Sequence, residues 1–348
     1  MDVEEEMIGR VMSEIRISWE DGIRRPMLGL LVIALLLGAC QTGADLSSPG
    51  SSAPTDQEGG VSLPSIEPSQ SDQDLTADPS ETESDSAETP SAEPTRPLRS
   101  PEDWMNWPVI PELTDTAVEI YRRGLARGND PHHFSKVGDC QNVPSMFLSI
   151  FDHPGYFSLG EYDYLQSTID YFEGSFSRES QAVRRGFNAA SVVSPFWANP
   201  EVCDSGETPL ECEFRLYQPS IAIISLETWW DSAPENYEKY VRQIIEDTIA
   251  HDVVPILATK ADNLEGDYQI NYILASLAVE YDIPLWNFWA AVQPLPNHGL
   301  TDDGFHLTWA TNYFDDERKM RNAWPWRNLT ALQVLDAVRI ALEEAVAE

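Results

Sequence analysis

Two continuous apolar runs dominate the second half of the chain: Ser220-Ile221-Ala222-Ile223-Ile224-Ser225-Leu226 and Val253-Val254-Pro255-Ile256-Leu257-Ala258. Runs of strand length with no polar alternation belong to strands covered on both faces. Between them, Glu235 to His251 carries Tyr237, Tyr240, Val241, Ile244, Ile245 and Ile249 at helical spacing. The same reading predicts helices over Thr114 to Arg127, Tyr162 to Phe172, Tyr268 to Tyr281 and Leu329 to Val346. It predicts short strands over His133 to Gly138 and Ile283 to Trp289, and a helix opening at Cys140 and running toward Phe151. This β-α-β-α-β rhythm predicts an α/β fold, a parallel sheet with helices on both faces. Chemistry in such sheets collects at the carboxyl ends of the strands.

The amino-terminal part is of another kind. Met27 to Ala39 is an apolar run preceded by Arg24 and Arg25 and followed by Cys40. It is too short to span a bilayer as a helix, which takes about 20 residues. It fits the core of an export signal. Leu37-Gly38-Ala39-Cys40 resembles the lipobox of bacterial lipoproteins, which implies cleavage before Cys40 and a lipid on its sulfur. The acidic start (Asp2, Glu4, Glu5, Glu6) is unlike an export signal, and Met12 is an alternative start. Residues 41–100 are rich in Ser, Pro, Thr, Asp and Glu and nearly free of aromatics. Such a stretch buries too little apolar surface to offset its ordering entropy, so it is expected to be a disordered acidic tether. Its reach is roughly 40–45 Å. The expected organisation is a signal over 1–40, a tether over 41–100 and one domain over 101–348. The expected location is the outer face of the cell membrane, held by lipid.

The formal net charge is -36. Such acidity repels nucleic acid and anionic membrane surfaces, and no basic patch argues for a nucleic-acid partner. Cys203 and Cys212 flank a Gly/Pro-containing loop. Outside the cytoplasm they are expected to form a disulfide, with a metal site the weaker alternative for want of a nearby histidine. Cys140 is then left as a lone thiol. His132 and His133 are adjacent, so on a strand they face opposite sides and do not read as a metal pair. No metal or organic cofactor is expected, and the expected state is a monomer.

The predicted strands end in Val137-Gly138-Asp139-Cys140, Leu226-Glu227-Thr228-Trp229-Trp230 and Thr259-Lys260-Ala261-Asp262-Asn263. Past the last strand comes Asp302-Asp303-Gly304-Phe305-His306. An Asp three residues before a His can orient the imidazole and stabilise its cation. A cysteine at a helix start would feel the helix dipole, which favours the thiolate. Cysteine, histidine and aspartate suffice for nucleophilic acyl transfer where they meet in space.

From Val137 to Thr308 the chain resembles the SGNH (GDSL) hydrolases. Gly138-Asp139-Cys140 is similar to the family's Gly-Asp-Ser block, with Asp139 as support for the site. Asp303-Gly304-Phe305-His306 is similar to its Asp-x-x-His block. Gly186, in Arg185-Gly186-Phe187-Asn188, is similar to the glycine whose N–H joins the oxyanion hole. The resemblance implies a three-layer α/β/α sandwich with a short, flavodoxin-like parallel sheet. It also implies hydrolysis of acyl esters, thioesters or acetylated sugars.

Two departures matter. The nucleophilic serine is Cys140, and Trp229 stands where the family has an oxyanion-binding Asn. Losing one such donor typically costs about 100- to 1,000-fold in rate. Asn188, Lys260 and Asn263 are the candidate replacements. Lys260 and Asp262 read equally as a local salt bridge or as substrate contacts, and His298 as a residue of the pocket rim. The implied ligand is a small acyl ester or a carbohydrate-like molecule. The alternative to a hydrolase is an inactive relative that binds such a ligand, with Trp229 and Trp230 as stacking surfaces. The lipid anchor makes a prediction of its own: Cys40→Ser is expected to move the protein from the membrane pellet to the soluble fraction, as read by fractionation and immunoblot.

Overall fold

The computed structural model describes residues 99–226 and 234–347 of the 348-residue chain. Cys40, Trp229 and Trp230 lie outside the described residues, as do the signal and nearly all of the tether. The described residues fall within one compact unit, Thr89–Glu348.

In chain order the regular elements are α1 (Asp115–Arg127), β1 (Asp130–Gly138), β2 (Phe157–Ser158), α2 (Gln166–Tyr171), α3 (Ala189–Val192), α4 (Pro209–Tyr217) and β3 (Pro219–Ser225). Then come α5 (Pro234–Ala250), β4 (Val254–Ala258), α6 (Gln269–Glu280), β5 (Leu285–Trp286), α7 (Phe288–Val292), β6 (Asn312–Tyr313) and α8 (Ala323–Ala347). The main sheet is parallel, in the order β1-β3-β4-β5. Every residue of β3 and β4 is buried, as their unbroken apolar runs require.

Alternation along the strands divides two cores. Phe134, Ile221, Ile223, Val254 and Ile256 face α1, α2 and α8. Val137, Ala222, Ile224 and Leu257 face α4, α5 and α6. The result is the three-layer α/β/α sandwich that the β-α rhythm anticipates. On the far side of β1, Val183 forms a parallel bridge to Gly138. This places residue 183 beside β1 opposite β3, the flavodoxin-like order with its switch point at β1 and β3. No helix among the described residues is long and apolar enough to cross a membrane.

Four predicted elements differ. The helix expected over Tyr162 to Phe172 is a 3-10 stretch, Gly160–Leu165, followed by α2, Gln166–Tyr171. The helix expected from Cys140 toward Phe151 is two 3-10 turns, Cys140–Asn142 and Ser149–Asp152. Pro144 supplies no N–H to a helix passing through it, and Leu148 has left-handed backbone (φ 65°). The strand expected to reach Trp289 stops at Trp286, because Asn287 caps α7, its side-chain Oδ1 accepting from Ala290 N–H (3.3 Å). Finally, α8 begins at Ala323 rather than Leu329. Pro325 lies in its first turn, where a missing N–H costs nothing.

Several buried residues are charged by nature, and one of them lies within the sheet. Lys136 on β1 is buried, and its Nζ donates to the Phe176 carbonyl (2.6 Å). Burial, helped by the nearby Arg178 cation, pushes its pKa down to about 7. The unfolded chain therefore holds this proton between about pH 7 and 10.5 while the fold does not, so the group makes stability rise with pH across that window. Urea unfolding of wild type and Lys136→Met checks this: the stability gained by the substitution is expected to shrink steadily as pH rises through the window.

Candidate active site at the carboxyl edge of the sheet

β1 ends in Gly138 because the chain leaves no room there for a side chain. A Cβ on Gly138 would overlap the Asn142 amide and the Ser225 carbonyl. The Asn142 amide donates to that carbonyl (2.6 Å), joining the ends of β1 and β3. Asp139 is buried and caps the following turn, accepting from Gln141 N–H (3.0 Å). Cys140 opens this turn, half-buried and outside any disulfide. Because the turn has three residues and is not an α-helix, the helix dipole expected to activate the thiol is not there.

Residues 182–184 run along the other flank of β1. Gly138 N–H donates to Ala182 O (3.0 Å) and Arg184 N–H to Gly138 O (3.4 Å). Gly186 follows, exposed and with left-handed backbone (φ 82°). Asn188 caps α3, its carbonyl accepting from Ser191 N–H and Oγ, both at 3.0 Å. A cleft of about 410 Å³ opens against this flank, between Val143-Pro144-Ser145 and the segment from Glu179 to Arg185.

Asp303 and His306 sit on a hairpin that leaves Gly299 and returns at Thr308. Leu300 and Leu307 pair across it. Asp303 Oδ1 accepts from Thr301 Oγ1 (2.7 Å) and from the N–H groups of Phe305 (2.9 Å) and His306 (3.0 Å). Its Oδ2 accepts from His306 Nδ1 (2.6 Å). These bonds, that from the His306 ring foremost, hold the Asp303 carboxyl well below the usual carboxylate range. The aspartate is thus fixed and ionised, and it fixes the tautomer of the histidine. Among the described residues the ring's hydrogen bond is to Asp303 alone, and the side chain of His306 is 67% exposed. His298, exposed at the base of this hairpin, donates from Nδ1 to Gln293 O (3.1 Å).

Both loops are anchored on one end of α8. Thr308 Oγ1 accepts from Ala323 N–H (3.0 Å) and donates to Gly299 O (2.9 Å), while Thr308 O accepts from Trp324 N–H (3.1 Å). Gly299 lies so close that a Cβ would come within 2.7 Å of Ala323 Cβ. One turn on, Arg327 donates to Ser225 Oγ (2.9 Å) and to Asn142 Oδ1 (3.4 Å). Arg327 and Asn142 escape sequence reading: nothing in Trp324-Pro325-Trp326-Arg327-Asn328 marks that arginine as buried.

The remaining candidates have partners of their own. Lys260 is buried and paired through Nζ with Asp262 and Glu265, each at 2.6 Å. Burial opposes its charge, but the two carboxylates outweigh it and hold its pKa above the ordinary lysine value. Of the two readings, the ion pair is the one seen here. Asn263 accepts from Tyr268 N–H (2.8 Å) and shapes the loop after β4. Cys203 and Cys212 form a disulfide (S–S 2.08 Å), so neither offers a thiolate to a metal. His132 and His133 diverge, bonding Tyr171 O and Tyr217 O.

No family model matches the sequence, and no curated protein matches it. Among solved structures, the chain is similar to a protein described as lipolytic and of the G-D-S-L family, from Desulfitobacterium hafniense DCB-2. The identity is 14% and the TM-score 0.35, over 58% of this chain and 99% of that one. It is similar to TesA at 14% identity and a TM-score of 0.35, over 61% and 99% of the two chains. Likeness of this size says nothing of activity.

The anchoring by Thr308 is testable without a substrate. Thr308→Val is expected to cost about 1 kcal/mol of stability, as other lost caps do. It should also speed amide exchange at Thr301 and Ala323 while leaving β3 and β4 protected, as read by hydrogen-exchange mass spectrometry.

Proposed function

We propose that the chain is an extracytoplasmic acyl hydrolase of the SGNH type, tethered through lipidated Cys40, with Cys140 as nucleophile, His306 as base and Asp303 orienting the imidazole. The observation that carries this reading is the Cys140 thiol, outside any disulfide, at the switch point of a parallel sheet, with an Asp-fixed histidine anchored on the same helix end.

In this reading the thiol gives its proton to His306 Nε2 and sulfur attacks the acyl carbon. The carbonyl oxygen becomes an oxyanion, held by the N–H groups of Cys140 and Gly186. The intermediate collapses to a thioester on Cys140. The leaving alkoxide or thiolate takes the proton from His306. Water then attacks the thioester, giving a proton to His306, and the acid leaves as the thiol is restored. The Asp303 carboxylate stabilises the imidazolium throughout and stays ionised. Thioesters and activated esters suit this nucleophile best, because they need least help from the oxyanion hole. Contact between the thiol and His306 Nε2 belongs to the substrate complex in this reading, as catalytic contacts often tighten only on binding.

The openness of His306 favours a second reading. A histidine two-thirds exposed and bonded to Asp303 alone suits a relative that binds an acyl or carbohydrate ligand without turning it over.

Hydrolysis of short-chain aryl esters and thioesters separates the two. Under the first reading Cys140→Ala and His306→Ala each lower kcat/KM by at least about 100-fold. Wild-type turnover that survives in Cys140→Ala would sink that reading. A folded wild type and Cys140→Ser that are both inactive would select the second.

A further inference from the structure

Basic side chains are scarce here, 22 Lys and Arg against 58 Asp and Glu. Most arginines in the described residues accordingly sit against carboxylates, as Arg178 does on Glu213, Arg215 on Glu207 and Arg339 on Glu343. Arg184 and Arg185 do not. Among the described residues neither guanidinium forms a salt bridge or hydrogen bond, although carboxylates are abundant. Both line the cleft that flanks the Cys140 turn.

The rest of that cleft is hydrogen-bonding. Ser145, Ser180, Gln181 and Asn199 line it, while its apolar wall is confined to Val143, Pro144 and Val183. Glu179 also faces it, so the two arginines leave it one positive charge. At about 410 Å³ it has the size of a small-ligand site. A long acyl chain would find little to bury against.

Aromatic side chains lead away from it, through buried Phe187 to exposed Trp197 and Phe196. The Arg184 guanidinium lies over the Phe187 ring (5.4 Å), Phe187 meets Trp197 (6.2 Å), and Trp197 meets Phe196 (5.4 Å). Phe196 is 84% exposed, among the most exposed large apolar side chains, and Trp197 is 44% exposed. Two residues further, Asn199 is back in the cleft. Aromatic faces accept the C–H face of a sugar ring, and a guanidinium fork accepts a carboxylate with two parallel hydrogen bonds.

We propose that this surface binds an acidic glycan of uronate type, with a sugar ring on Phe196 and Trp197 and a carboxylate at Arg184 and Arg185. Its place as the substrate subsite rests on Cys140 being the nucleophile; the binding itself does not. An anionic membrane shares the same charge complementarity, but a concave site edged with serine, glutamine and asparagine fits sugar hydroxyls better than a lipid surface.

The test uses the full-length protein and reads binding without turnover, by calorimetry and tryptophan fluorescence. The probes are tetragalacturonate, uncharged cellotetraose and phosphatidylglycerol vesicles. Tetragalacturonate is expected to bind at least about tenfold more tightly than cellotetraose at low salt, the margin shrinking as salt is added. The double variant Arg184→Gln/Arg185→Gln should erase that margin, and Phe196→Ala should weaken both oligosaccharides; these sites are exposed, so the fold is unaffected. Equal affinity for the two oligosaccharides, binding of neither, or arginine-dependent binding to vesicles in preference to tetragalacturonate overturns the proposal. Hydrolysis and binding fail separately: a wild type without turnover that still prefers tetragalacturonate retains this site, and Cys140-dependent turnover without that preference removes it.

Discussion

A guanidinium held away from water organises the active end of this molecule. Arg327 is fully buried on α8, with its cation among the rings of Phe147 (4.8 Å), Phe288 (5.0 Å) and Trp286 (5.4 Å). A charge so placed is tolerable only where aromatic faces and hydrogen-bond acceptors replace its hydration. Ser225 Oγ and Asn142 Oδ1 are such acceptors, and they belong to the end of β3 and the turn after β1. Satisfying one cation therefore fixes the spacing of α8 and the two strands that bound the switch point. Gly138 must be glycine for the same reason, since Asn142 lies where its side chain would be.

The two halves of the candidate site depend on α8 in different ways. The Cys140 turn is tied through a buried polar network that resists change, because each member left unpaired would carry its full desolvation penalty. The Asp303–His306 hairpin is tied at its base, through Thr308 and Gly299, while its tip stands in solvent. The Cys140 turn is thus held along its length, and the Asp303–His306 hairpin at its base only.

Electrostatics elsewhere follow from the same scarcity of cations. Buried Glu213, next to Cys212 of the disulfide, accepts from Ser135 Oγ, Gln181 N–H and Arg178, and so holds the segment from Arg178 to Gln181 against β1. Lys260 is held by Asp262 and Glu265 below the loop after β4. Arg184 and Arg185 are not held in this way: among the described residues neither forms a salt bridge or side-chain hydrogen bond, and the Arg184 guanidinium lies over the Phe187 ring.

What the sequence determined is the part set by local periodicity. The apolar runs of β3 and β4 and the helical spacing of α5 are each forced by burial on both faces or on one, so strand type, helix type and the parallel sandwich follow without knowledge of contacts. The Asp303–His306 pair was equally legible, because a three-residue separation lets one turn bring the two side chains together. The tertiary structure decided everything that depends on residues distant in sequence. It made the Cys140 segment a 3-10 turn, since Asn142 bonds across to Ser225 instead of continuing a helix. It gave Lys260 to its neighbouring carboxylates, Asn188 to a helix cap and Arg327 to the core. In each case the side chain's role is set by which acceptor or ring lies within reach once the chain has folded, and that is not a property of any local stretch.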